Sequence, residues 1–433
     1  MPRPIGIDDA WEKLFARHRI LEHIDADGIF SITSSAINEV KEARLMAKFD
    51  RSAQLPRIFR AHQLSILPIS RGSYVIAPFR THRTVEYGAV RPRVLPAPDL
   101  ETLNGSDLYS EAAALLYCYH GGLFDDLLGA RCAYTVNGRM ASGSFSFQIE
   151  NIRDRNCSYA LTVHNAQVEV DAGYESADAF LLCECKNMAS EELLIRQLYY
   201  PYRLWKGKIR KPVLPLFLAC SNDVFHAFLY RFADDGDYNS LTLVSHTAYT
   251  FADRGITLED AAGLLRRTAS GAEPPVPFPQ ANSFTRVVDL LGVLWEQDLT
   301  RDEITLKYEF DPRQTDYYVT ACQYLGLVER FQDGEGNPGC RLTSDARRIL
   351  ALPYREKYLG LMEVILKRPV FRRAFASALN CGRIPNQNQI VRYMLEENLP
   401  LNETTRIRRS STVRGWIGWM LSQCGQGEQL VLE

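Results

Sequence analysis

The chain lacks a run of eighteen apolar residues anywhere along its 433 positions, which argues against a membrane-spanning helix. The opening stretch MPRPIGIDDAWEKLF carries acids and a helical pattern, and it lacks the apolar core of a signal peptide. A cytoplasmic location is expected. Ten cysteines are present, yet none forms a CxxC pair or a CxxC…HxxxH spacing. Structural zinc is therefore not expected, and reduced, mostly buried thiols are. There is no repeat period and no low-complexity tract. The net charge of −2 shows no overall excess of either sign, so total charge decides nothing about nucleic acid.

What is present is ordinary in amount and uneven in placement. The chain is 46% hydrophobic and 24% charged, as a soluble globular protein is, and its length suits two or three domains. Between Arg341 and Arg414, 15 Lys and Arg stand against 6 Asp and Glu, a local excess of nine positive charges. A locally basic surface is what a phosphate-binding module needs.

Three regions follow from turn and helix signals. Residues 1–105 mix helix and strand: Thr33 is expected to cap a helix from Ser34 towards Phe49, GSYVIAPF reads as a strand, and RPRVLPAPDLETLNGSD as a connector. This region is expected to contact DNA or to dimerise. Residues 106–270 read as one α/β unit. A helix capped by Ser106 or Asp107 precedes a hairpin around Asn137-Gly138, a second hairpin spans AQVEVDAGYESADAFLLCECK, and a helix capped by Ser190 follows. Two more strands, PVLPLFLACS and VFHAFLYRF, complete a mixed sheet with helices against it. A proline-rich linker occupies 271–282. Residues 283–350 hold three helices and a Gly-tipped hairpin, the order of a winged helix-turn-helix, with Thr300 and Glu303 forming a capping box. Residues 351–433 form a further helical, basic unit.

The stretch FLLCECKN, 180–187, carries the chemistry. Strand residues alternate faces, so Glu184 and Lys186 share one face while Cys183 and Cys185 share the other. On the preceding strand Glu169 and Asp171 share a face. A hairpin of this length brings Asp171 alongside Glu184. Two close carboxylates repel unless a cation lies between them, and oxygen ligands of this kind suit Mg²⁺. A lysine two residues from one ligand reaches the same point. An Asp followed by ExK on the next strand is thus a phosphodiester hydrolase constellation. Asp178 and Glu169 remain alternatives to Asp171 as the first acid.

With VEVDAGYE, FLLCECKN and RQLYYPYRLW in hand, and with RLMAKFD, SEAAAL, NGRMASGSFSF, RQTDYY and RRSSTVRGW around them, the chain resembles the PD-(D/E)XK nuclease superfamily. The resemblance is to type II restriction endonucleases with a C-terminal winged-helix region. It implies an α/β (α+β) fold: a restriction-endonuclease-like mixed sheet flanked by helices, plus a helical winged helix-turn-helix domain. It implies Asp171 and Glu184 as metal-binding carboxylates with the carbonyl of Cys185 as a further ligand, and Lys186 as the catalytic lysine. Glu111 and Gln197 would be the acid and the glutamine on the flanking helices. Val170 stands where the name-giving pattern has proline. The cofactor implied is Mg²⁺, with Mn²⁺ as a substitute. The partners implied are double-stranded DNA, a second copy in a homodimer and a cognate DNA methyltransferase.

Candidate DNA contacts come from exposed basic patterns. Arg139 follows Gly138 at the expected hairpin tip and either enters a groove or belongs to a plain turn. Arg44 and Lys48, one helical turn apart, are candidates to clamp a phosphate, with a plain solvated helix face as the rival reading. Arg313 and Gln314 open the expected recognition helix, although winged helices also serve as dimerisation modules. Arg406, Arg408, Arg409 and Arg414 interleave with hydroxyls in RIRRSSTVRGW and suit phosphate contact. Tyr199 to Tyr202 read as core, and His226 as an isolated structural histidine. The expected activity is sequence-specific, Mg²⁺-dependent cleavage of duplex DNA. The rival readings are a non-catalytic winged-helix DNA-binding regulator and a structure-specific repair or resolvase-type nuclease.

Overall fold

A computed structural model describes residues 6–88, 90–103, 105, 108, 110–251, 255–307, 312–334 and 336–424. Its centre is a seven-stranded mixed sheet. The strands are β1 (Arg93–Val94), β2 (Cys132–Ala141), β3 (Gln167–Ser176), β4 (Phe180–Lys186), β5 (Val213–Ser221), β6 (Val224–Phe232) and β7 (Leu241–Thr250), in the spatial order β1-β7-β6-β5-β4-β3-β2. The β3–β4 hairpin forms as expected, with Cys183 opposite Ala172. Strands β4 and β5 are parallel, with Glu184 beside Phe217. Parallel neighbours need a crossover, and helix α2 (Ile195–Lys206) supplies it.

The alternation of β4 sorts two cores. Cys183 and Cys185 pack with Cys220 and with Cys118 of helix α1 (Glu111–His120) on one face. Phe180 and Leu182 pack with Leu198, Tyr199 and Tyr200 of α2 on the other. Six of the ten cysteines are buried, and Cys157 and Cys381 are exposed.

Several local expectations are corrected. Asn137-Gly138 is not a turn: β2 runs through it, and Gly138, at φ +92°, sits where the register with β3 shifts. The left-handed conformation that glycine permits serves a bulge here. The chain turns instead at Ser142-Gly143, and Ser144–Glu150 then pairs with Ser158–His164 rather than with β2. Thr33 does cap a helix, accepting from the Ala36 amide, but that helix stops at Asn38. The Asn38 side chain takes the Ala43 amide at 2.7 Å, and a separate short helix runs Ala43–Met46. Side-chain competition for backbone groups explains the break. Ser190 caps nothing, because Glu192–Leu194 is a short strand paired with His82–Thr84. Ser106 and Asp107 lie outside the described residues, and Ser110 caps α1 through the Ala113 amide. His226 is not isolated: its Nδ1 lies 3.0 Å from Nε2 of His246.

After the proline-rich stretch come α3 (Phe284–Glu296), the short strand Leu299–Thr300, α4 (Arg301–Lys307), α5 (Pro312–Tyr324) and a hairpin of Val328–Gln332 with Pro338–Leu342. Thr300 and Glu303 form the expected reciprocal box, with bonds of 2.8 and 3.3 Å. Among the described residues five further helices follow, ending with Glu403–Gln423. None of the described helices is long and apolar enough to cross a membrane.

A buried polar joint ties α3 to the sheet. Asp289 accepts from Ser221 Oγ at 2.8 Å and from the Ala189 amide at 3.2 Å. Burial raises its carboxyl to about 7, partly offset by those bonds and by Arg286 and Arg51, and Tyr87 also faces it. A carboxyl raised in the folded state contributes stability that is complete below its unfolded value, near 4, and is lost as pH rises through about 7. Asp289→Asn should therefore gain on the wild type between pH 5 and pH 8, by roughly 2–3 kcal/mol at ~1.4 kcal/mol per pK unit. Urea unfolding of both proteins at the two pH values checks this. Parallel pH dependences would rule it out.

Candidate active site

The β3–β4 hairpin brings the sequence-predicted acids together. Glu184 points from the strand into a cleft and is almost fully buried. Its Oε1 accepts from Lys186 Nζ at 2.8 Å and from Gln197 Nε2 of α2. Asp171, across the hairpin, accepts from the Cys185 amide at 2.8 Å. In an extended strand a residue's N–H and C=O point to the same side, so the Cys185 carbonyl also faces Asp171. Of the other two candidate acids, Glu169 lines the same cleft while Asp178 does not. Asp178 lies exposed at the turn end of the hairpin, and Glu169 pairs with Arg139 at 3.2 Å.

Glu111 stands at the first turn of α1 and lines the same cleft of about 550 Å³. Burial raises its carboxyl to about 7; Lys186 and Lys48 oppose the shift, while Asp171 and Asp50 add to it. Burial likewise raises Asp171, with Lys186 and the Cys185 amide opposing. Glu184 is pushed well up by burial and by Asp171, against Lys186. All three shifts have one physical origin: carboxylates crowded in low dielectric bind protons or cations.

Asp50 completes the cluster, and sequence reasoning missed it. Its Oδ2 is 3.9 Å from Lys186 Nζ. It ends the stretch RLMAKFD, but no local pattern links it to a strand 136 positions away. Arg196, beside Gln197 on α2, also lines the cleft unforeseen.

The expected DNA contacts divide into two places. Arg44, Lys48 and Arg139 line the cleft, with Arg71 and Arg196. Arg139 sits within β2 rather than at a hairpin tip, and Lys48 lies beyond the end of the short helix carrying Arg44. Arg406, Arg408, Arg409 and Arg414 lie on the helix Glu403–Gln423, where Arg408 and Arg414 are exposed and Arg409 donates to Gln280. Arg313 is exposed near the start of α5, with Gln314 half-buried beside it. Much of the basic excess elsewhere in this region is engaged in ion pairs, as in Arg373 with Glu396 and Glu397, Arg355 with the distant Asp260, and Lys357 with the distant Asp223.

Three family models match, all described as domains of unknown function: DUF6996 over residues 8–76, DUF6997 over 77–250 and DUF7226 over 286–425. No curated protein and no solved structure matches. The cleft draws on the first two of these segments. Asp50 comes from the DUF6996 segment, and Glu111, Asp171, Glu184, Lys186 and Gln197 come from the DUF6997 segment.

The donor types are those a hard divalent cation takes, although among the described residues no three His, Cys, Asp or Glu converge as a metal-holding group. Carboxylate oxygens from Asp171 and Glu184, with Glu111 nearby and the Cys185 carbonyl on the same side, are the ligand types that Mg²⁺ and Mn²⁺ prefer. Asp50 Oδ1 is buried without a donor. Such an orphaned oxygen is the mark of a group whose partner is a cation, a water or another protein group in a different state.

Proposed function

We propose that the chain is a Mg²⁺-dependent, sequence-specific endonuclease of double-stranded DNA, a type II restriction enzyme with a PD-(D/E)XK nuclease core and a winged-helix region. The observation that carries this reading is the meeting of Asp171 and Glu184 across one hairpin, with Lys186 and Gln197 bonded to the same Glu184 oxygen. Asp171, Glu184 and the Cys185 carbonyl would hold the cation, with Mn²⁺ able to replace Mg²⁺. When bound, it would polarise a phosphoryl oxygen and lower the pKa of a water.

The side chains do the remaining work. Lys186 directs its ammonium at the phosphate position and stabilises negative charge as it builds there. Gln197 holds Glu184 in place. Arg44, Lys48, Arg139 and Arg196 give the cleft a positive rim for the DNA backbone. The helices α3 to α5 with their hairpin have the element order of a winged helix, and Arg313 and Gln314 would meet base edges from α5. Arg406, Arg408 and Arg409 would contact phosphates. A palindromic site would call for a homodimer, and a restriction role for a DNA methyltransferase of the same specificity.

The test is digestion of long duplex DNA with Mg²⁺ or Mn²⁺. Discrete fragments with common ends are expected. Binding without any cleavage would favour the DNA-binding regulator. Cutting confined to branched or mismatched DNA would favour a structure-specific nuclease.

A further inference from the structure

The proposed catalytic lysine makes an ion pair on its own strand with Glu184 and meets a second acid from a distant segment, Asp50. Lys186 Nζ lies 2.8 Å from Glu184 Oε1 and 3.9 Å from Asp50 Oδ2, and all three side chains are largely buried. Asp50 arrives from the N-terminal segment, and the residues after it are built into the wall of the site. Arg51 is buried and donates to the Ala189 carbonyl at 3.3 Å and to Ser190 Oγ at 3.2 Å. Ser52 gives its amide to Glu192 at 2.9 Å and its hydroxyl to the same carboxylate at 2.8 Å. Residues 50–52 therefore form a plug against 189–192, the segment that joins Lys186 to the helix bearing Gln197.

Glu184 has competing duties. In the proposed reaction its carboxylate would also serve a cation, and a negative charge shared with a cation holds the ammonium less strongly. A largely buried ammonium whose nearest counter-charge is shared in this way is better held with a second carboxylate beside it. Asp50 has the capacity to take over, because its Oδ1 is buried and has no donor.

We propose that Asp50 is a positioning residue that anchors Lys186, so that the N-terminal segment completes the catalytic cleft. The inference rests on the nuclease reading of that cleft. Its chemistry is a single ion pair. Asp50 is a second hold on the Lys186 ammonium beside Glu184, and would keep it aimed at the phosphate if Glu184 also served the cation.

The experiment compares wild type, Asp50→Asn, Asp50→Glu and, as a charge control, Asp178→Asn at the far end of the hairpin. Two measurements are made. One is single-turnover cleavage at saturating DNA, with DNA affinity measured in EDTA. The other is the NMR signal of ¹³C-methylated Lys186, assigned by its loss in Lys186→Ala. Asp50→Asn should lower the cleavage rate at least 30-fold with DNA affinity within about twofold, and should move the Lys186 signal. Asp50→Glu should restore part of both, and Asp178→Asn should change neither. An Asp50→Asn protein that cuts at the wild-type rate with an unmoved Lys186 signal overturns the anchor and leaves the nuclease reading standing. Equal losses of rate, DNA affinity and melting temperature, with no rescue by glutamate, overturn it in favour of a purely structural role. If wild type cuts no DNA while Asp50→Asn still moves the signal, the anchor stands and the nuclease reading fails.

Discussion

Lys186→Ala is expected to lower Mg²⁺-supported DNA cleavage by about 10³-fold or more while DNA affinity stays within about twofold. The size follows from where the ammonium sits. Its side chain is 12% exposed, beside a Glu184 side chain 8% exposed, so water screens the charge poorly. On the nuclease reading a cation held there would act on a developing phosphoryl charge at low local dielectric, and about 10³-fold corresponds to roughly 4 kcal/mol of barrier. The substitution also strips Glu184 and Asp50 of their shared cation, and breaking a buried pair costs about 3–5 kcal/mol. Stability must therefore be read separately. Glu184→Gln is the companion: it can still bond to Gln197, and it removes a carboxylate instead of an ammonium. Both variants should bind duplex DNA and fail to cut it. A Lys186→Ala protein that melts like wild type and cuts within tenfold of its rate would remove Lys186 from the chemistry.

The reach of sequence reasoning here has a physical boundary. Asp171, Glu184 and Lys186 were legible because a strand's two-residue period assigns faces, and a hairpin of known length sets which positions meet. Asp50 was not, since its approach to Lys186 depends on how a separate segment docks through Arg51 and Ser52. Ser190 looked like a helix cap by its type and position, yet its hydroxyl donates to the Glu192 carbonyl and accepts from Arg51. Asn137-Gly138 carried a true signal for positive φ, but a bulge and a turn share that signal, and only the pairing of β2 with β3 separates them. The run from Arg341 to Arg414 looked basic because sequence counts charges without their partners, and several of those partners lie far along the chain, such as Asp260 for Arg355. The mixed α/β architecture was legible from order and length. β7 was not foreseen, although its pairing with β6 extends the sheet beyond the strands read from the sequence.

Gly415→Ala is expected to destabilise the C-terminal helical unit by about 3 kcal/mol or more, a cost at the upper end of overpacking. A Cβ at Gly415 would lie 2.0 Å from the Asn282 carbonyl oxygen and 3.1 Å from its carbon. That neighbour is backbone and is held on several sides. Trp416 Nε1 donates to the Ala281 carbonyl at 2.7 Å, and Thr412 Oγ1 donates to Asn282 Oδ1 at 2.8 Å. Trp416 also stacks on Phe371 at 4.7 Å and meets the edge of Phe284 at 5.0 Å. The end of the proline-rich stretch is thus stitched to the helix Glu403–Gln423 and cannot simply yield. Gly418 on the same helix is the control: its added Cβ would meet Ile384 Cδ1 at 3.5 Å, an ordinary contact. There alanine should gain helix propensity of up to about 1 kcal/mol. Thermal unfolding of the two variants should move in opposite directions from wild type. The displaced 278–284 segment in Gly415→Ala should also weaken DNA binding, because Arg409 is held there through Gln280. If Gly415→Ala and Gly418→Ala melt together, the close approach of Asn282 to the helix is not part of the folded protein.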